Sequence, residues 1–108
     1  MILRVWHGWT TIENADAYEE LLTTSIVPGI TSRAIPGLSA VDVLRRSDNL
    51  DAEVEFVTLM TFDDWSAVEM FAGPQRTHSV VPPAAREVLK RYDAHSQHYE
   101  LVDRQTTH

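Results

Sequence analysis

Two segments of this chain are apolar on both of their alternating faces, and that constrains the fold more than any other feature. Residues 2–9 place Leu3, Val5 and Trp9 on one side and Ile2 and Trp6 on the other. Residues 53–62 set Val54, Phe56, Met60 and Phe62 opposite Val57 and Leu59. An antiparallel sheet that packs helices on one side ordinarily turns a polar face to water, so the second apolar face of these strands needs a cover of its own. The chain has 108 residues and no cysteine. With a core this small and no disulfide to supplement it, the remainder must come from packing or association. A second copy of the chain laid over the open sheet face is the simplest cover, which predicts a homodimer.

The rest of the chain supplies the partners of these strands. Thr10 followed by Glu13 reads as a capping box. It opens a helix whose stripe is Ala17, Tyr18, Leu21, Leu22, Ser25 and Ile26 and which ends at Pro28-Gly29. Pro36-Gly37 marks a turn into a strand at residues 38–46, with Leu38, Ala40, Asp42 and Leu44 opposite Ser39, Val41, Val43 and Arg45. A polar hairpin loop follows at residues 47–52. Asp63 and Asp64 then start a second helix with Trp65, Val68, Phe71 and Ala72 on its apolar side, ending at Gly73. Residues 73–81 form a loop, and Pro82-Pro83 opens a short helix through Val88, Leu89 and the basic Lys90-Arg91. Residues 92–102 form the last strand, before a frayed tail at residues 103–108. The order predicts an α+β, ferredoxin-like βαββαβ unit with an extra short helix, one domain over residues 1–102.

Sixteen acidic against nine basic residues give a net charge of −7, which opposes phosphate binding, so no nucleic-acid partner is expected. No apolar run approaches the roughly 20 residues of a membrane span, and no secretory leader is recognisable, so the protein is expected to be cytoplasmic and off the membrane. The absence of cysteine excludes a thiol nucleophile and a cysteine zinc site. Glycines at 8, 29, 37 and 73 are too scattered to cradle phosphate, and no nucleotide cofactor is expected; a flavin, whose sites can lack any short motif, has nothing here that asks for it.

The frame ILRVWHGWTTIENADAYEELL, the Pro-Gly turn into a strand, FVTLMTFDDWSAVEMFAG and the terminal HYELV together resemble the antibiotic biosynthesis monooxygenase type of dimeric α/β-barrel protein. The resemblance implies a homodimer and a small apolar pocket between sheet and helices in each subunit. It also implies a cofactor-independent monooxygenase acting with molecular oxygen on a small aromatic or polyketide-like substrate. A non-oxygenase isomerase or cyclase of the same fold, a haem-binding or haem-degrading protein, and a non-catalytic small-molecule-binding barrel remain as alternatives. Haem degradation is the weaker of these. The family's strand asparagine is matched here by His7, its catalytic tryptophan falls on Pro74 and its histidine near Ala84, while Trp65 matches only the structural tryptophan that opens the second helix.

Candidate site residues follow from placing this pocket on the strands. If Leu3, Val5, His7 and Trp9 face the helices, His7 enters an apolar wall and can take a proton from a phenol or hydroquinone; the other reading is a core histidine satisfied by a carbonyl. His78, in a loop that could cover the pocket, and His98 would assist, or His78 is a plain surface residue. Trp9, Trp65, Phe71 and Tyr99 would shape the substrate cavity, although Trp6, Trp65 and Phe71 read first as core or interface aromatics. His98 and Tyr99 point to opposite faces, so only one reaches the pocket. His95 and His98, spaced as HxxH, likewise point apart on a strand, so no joint metal site is expected there. The acids Asp48, Asp51, Glu53 and Glu55 lack the pattern of a calcium loop.

Overall fold

The structure is a computed structural model and describes residues 1–107. Its elements are β1 (Ile2–Thr11), α1 (Ala15–Leu21), α2 (Val27–Thr31), β2 (Leu38–Arg45), β3 (Glu53–Phe62), α3 (Trp65–Ala72), α4 (Pro83–Val88), β4 (Arg91–Tyr92) and β5 (Gln97–Glu100). All strand pairings are antiparallel, in the order β2-β3-β1-β4, with β5 also on β1, and the sheet is not closed. This is the expected α+β, ferredoxin-like architecture.

The helices cover the even-numbered face of β1 and β3. Ile2, Met60 and Phe62 pack with Ala67, Val68 and Phe71 of α3 and with Ile35. Val54 and Phe56 pack with Ala15, Tyr18 and Leu22 and with Ala85 of α4. The sheet's other face carries Leu3, Val5, Val57 and Leu59, all half-buried. It also carries Leu44, 50% exposed, and Tyr99, 56% exposed.

β3 and α3 run between the bounds the pattern predicts. Asp64, in an extended conformation, caps α3 by accepting from the Ala67 amide at 3.0 Å, and Gly73 ends it at φ 80°, where a Cβ would be strained.

Five local expectations are corrected. The Thr10–Glu13 capping box does not form, because Thr10 and Thr11 still pair with Val54 and Glu53 in the sheet. The helix starts after Asn14, whose amide donates to Thr11 instead. Pro28-Gly29 does not end the first helix. Residues Leu22–Ile26 form a π-helical segment that runs without a break into α2, and Pro28, which lacks an N–H, lies just past this wider turn inside the continuous helix. In β2 a bulge between Leu38 and Ala40 resets the alternation: Leu38 pairs with Phe62, Val41 with Met60 and Val43 with Thr58. The short helix stops at Val88, and Lys90 and Arg91 lie beyond it; the Lys90 amide donates to the Trp9 carbonyl at 2.7 Å, and Arg91 pairs with Trp9 in β4. The last strand is broken into β4 and β5 by residues 93–96, where Asp93 donates its amide to the His7 carbonyl and Ser96 its amide to the Thr77 carbonyl. Of the expected tail, residues 103–107 are exposed without regular structure, and His108 lies outside the described residues.

Candidate functional site

Between sheet and helices, touching both core clusters, lies a cavity lined by aromatic and aliphatic side chains, among them Trp6, Tyr18, Met60 and Phe71. Leu22, Ile26 and Ile30 form its helical wall and Val80–Pro82 its loop side. It offers about 50 Å³ to the centres of water-sized molecules, within about 510 Å³ of space that includes its solvent-open mouth. One water needs roughly 10–15 Å³ on the first measure, so the space is that of a few waters, open to solvent on one side.

One charge enters this wall. Arg4 projects from β1 into the apolar face and is 3% exposed. Its guanidinium donates to the carbonyl of Arg76, to the carbonyl of His78 at 2.9 Å and to His98 Nε2 at 3.1 Å, and it lies 5.4 Å from the centre of the Phe71 ring. An arginine has five N–H donors, so two remain without a protein partner among the described residues. Burial lowers its pKa to about 10, which leaves it charged at neutral pH. The same burial pushes the Tyr18 hydroxyl up, so it stays neutral. Because a guanidinium can only donate, His98 accepts at Nε2 and carries its proton on Nδ1. Burial first, then the Arg4 and Arg76 cations, lowers the His98 pKa.

The sign of that shift gives a test. A histidine with a depressed folded pKa contributes stability that is fully present above its unfolded value near 6.5 and is lost as pH falls from there through the folded value. Between pH 7 and pH 5 the Tm of the native chain should therefore fall further than that of His98→Gln, measured by thermal unfolding at each pH. Equal falls would mean that His98 is not held neutral by this contact.

The predicted site residues divide between the two faces. Phe71 lines the cavity. His98 and Trp65 stand beside it, ring to ring at 4.9 Å, with Arg76 4.3 Å from the Trp65 ring. His98 therefore takes the helix side and Tyr99 the open face. His7 and Trp9 do not face the helices: the odd-numbered residues of β1 point to the open face, and this corrects the placement the strand pattern invited. There His7 Nδ1 meets Asp93 Oδ2 at 2.7 Å, its Nε2 lies 4.0 Å from Glu55, and its ring stacks 6.0 Å from that of Trp9. Trp9 also lines a polar recess with Arg46, Glu53, Glu55 and Arg91. His78 is exposed; its carbonyl holds Arg4, while its ring lies 4.9 Å from that of His95.

Sequence reasoning missed Arg4 and Ser96, both buried in the cavity wall. Arg4 left a signal, a cation midway between Ile2 and Trp6 on one strand face. Ser96 left none, since its burial depends on the break between β4 and β5.

No family model matches the sequence, and no curated protein matches it. Solved structures do. A Bacillus cereus protein described as a candidate antibiotic biosynthesis monooxygenase aligns over 98% of this chain and 97% of its own, at TM-score 0.70 and 12% identity. Another antibiotic biosynthesis monooxygenase aligns over 95% of this chain and 100% of its own, at TM-score 0.58 and 15% identity. An ethyl tert-butyl ether d (EthD) family protein from Bacillus halodurans C-125 aligns over 93% and 98%, at TM-score 0.56 and 17% identity. The chain has the fold of antibiotic biosynthesis monooxygenase-type proteins. Among the described residues no helix is long and apolar enough to cross a membrane.

Proposed function

We propose that this chain is a cofactor-independent monooxygenase that binds a small phenol-like aromatic molecule in the cavity between sheet and helices. The observation that carries the reading is Arg4, a buried cation with spare donors in a wall made mostly of aromatic and aliphatic groups, with the Thr58 and Ser96 hydroxyls beside them. In such a low-dielectric site a fixed cation stabilises a phenolate far more than water does, and the electron-rich anion is the form that reacts with oxygen. The reaction balances as phenol plus O2 giving quinone plus water: a C–H and an O–H bond break, one oxygen atom becomes the new carbonyl and the other leaves as water. Among the described residues no histidine or carboxylate lines the cavity, so charge stabilisation at Arg4 does the main work and the proton passes to water at the mouth. His98 acts as a positioning residue, fixing the guanidinium by accepting from it.

A second placement of the chemistry has its own support. Asp93 holds His7 through Nδ1 at 2.7 Å, which leaves Nε2 as the basic nitrogen, the arrangement of an oriented general base. There His7 would serve as proton acceptor for a substrate on the open face, beside Trp9. Oxygen uptake with a panel of phenols and hydroquinones tests both. Uptake abolished by Arg4→Met and kept by His7→Ala supports the cavity; the reverse supports the open face. Tight binding without oxygen uptake would replace the monooxygenase reading with an isomerase, a cyclase or a non-catalytic binder.

The open face supports a homodimer, because Leu3, Val5, Val57 and Leu59 present aliphatic surface that a second sheet would bury. Size-exclusion chromatography with light scattering at micromolar concentration should give twice the 12.3 kDa chain mass. A single-chain mass would overturn the dimer. The cytoplasm, where small phenols and oxygen are available, is the proposed location.

A further inference from the structure

We infer that His78 and His95 form a binding site for one divalent transition-metal ion, Zn2+ or a similar imidazole-seeking cation, that clips the loop of residues 73–82 to the segment between β4 and β5. The two residues face each other across an isolated antiparallel bridge. The bridge is closed on either side by Ser79 donating to the Ala94 carbonyl at 3.0 Å and Ser96 donating to the Thr77 carbonyl at 2.7 Å. That pattern makes His78 and His95 a non-hydrogen-bonded pair, the closest cross-strand spacing, with both side chains on the same face.

Their ring centroids are 4.9 Å apart. With metal–nitrogen bonds of about 2.0–2.1 Å each ring centre sits about 3.2 Å from the ion, so two imidazoles on one tetrahedral metal have centres roughly 5 Å apart. The pair therefore has the required spacing with the backbone as it stands. Thr77 Oγ1 lies 3.2 Å from His95 Nδ1. That contact orients the ring from outside and leaves Nε2 for the metal, the usual role of a supporting group. Both histidines are exposed, so water can complete the coordination. Nitrogen donors select zinc, nickel or copper over magnesium and calcium. His98, the nearer partner in sequence, does not take part: its ring lies against Trp65 and Arg4.

The position gives the ion a task. The His78 carbonyl accepts from Arg4, and Ser96, beside His95, lines the cavity. A metal bridging the two rings would hold the loop and this wall together without touching a cavity ligand.

The test uses the untagged 108-residue chain and Zn2+ alone, by isothermal titration calorimetry and thermal unfolding. We expect one ion per chain with micromolar affinity, and a Tm raised by roughly 5–10 °C in excess zinc. His78→Gln and His95→Gln should each weaken binding at least about tenfold and remove the Tm rise, with unchanged circular dichroism without metal. His7→Ala should bind as the native chain does, and Mg2+ should not bind. Absence of zinc binding into the millimolar range would overturn the inference, as would binding that survives both glutamine substitutions or disappears in His7→Ala.

Discussion

Arg4→Met is expected to lower turnover of a phenolic substrate by about two orders of magnitude, the usual effect of removing one preorganised charge-stabilising donor from a dry site. Methionine keeps much of the apolar stem and fills the space, so the cavity wall persists while the cation is lost. A chromogenic ligand separates binding from chemistry. In the native cavity 4-nitrophenol should bind as the yellow phenolate at a pH where it is neutral in water; in Arg4→Met it should bind colourless or not at all. Arg4→Lys, one point charge in place of a planar fork, should fall between the two. The substitution also orphans the Arg76 and His78 carbonyls, a cost of about 1–3 kcal/mol that removal of a buried charge partly offsets. Moderate destabilisation with turnover intact would remove Arg4 from the chemistry and leave it as a tether for the loop.

Phe56→Ala is expected to be the most damaging core substitution. Phe56 is 0% exposed in the middle of β3, edge-on to Tyr18 at 5.0 Å between ring centres, with Arg45 lying 5.6 Å from its ring centre on the sheet side of α1. Truncating a buried phenylalanine costs about 3–5 kcal/mol. A small domain has only about 5–15 kcal/mol in total. The urea midpoint should fall by roughly 2–4 M, and Phe56→Leu, which leaves a smaller gap, should restore most of it. A shift well under 1 M would mean that the sheet and α1 close over the space, which would also alter the cavity that Tyr18 lines.

These two residues show what the sequence could and could not disclose. Phe56 is legible because β3 alternates and its even positions carry the larger rings. The element order, the bounds of β3 and the acid-capped start of α3 are legible for the same kind of reason, since each depends on neighbours within a few residues. The facing of β1 is not. When both faces of a strand are apolar, period alone cannot say which meets the helices, and it leaves His7 free to be read toward either side. What decides it is long-range: Arg4 is tolerated inside because carbonyls from residues 76 and 78 and a ring nitrogen from residue 98 converge on it. The break at residues 93–96 is equally non-local. It supplies the Asp93 carboxylate to His7 and brings His95 opposite His78, neither of which follows from reading residues 92–102 as one strand.

The π-helical segment Leu22–Ile26 has a geometric consequence for the cavity. Tyr18, Leu22, Ile26 and Ile30 all line it, each four residues after the last. In a regular α-helix four residues overshoot a full turn by about 40°, so Ile30 would stand roughly 120° around the axis from Tyr18. The wider π turn, with roughly 4.4 residues, falls short of a full turn over the same step and cancels part of that drift. The wall is straight because the helix changes phase in its middle. Losing or gaining one residue in this segment would rotate Ile26 and Ile30 away from the cavity while Tyr18 stays in place. The pocket's size and shape could thus diverge between related chains by helical phase alone, with every lining residue type retained.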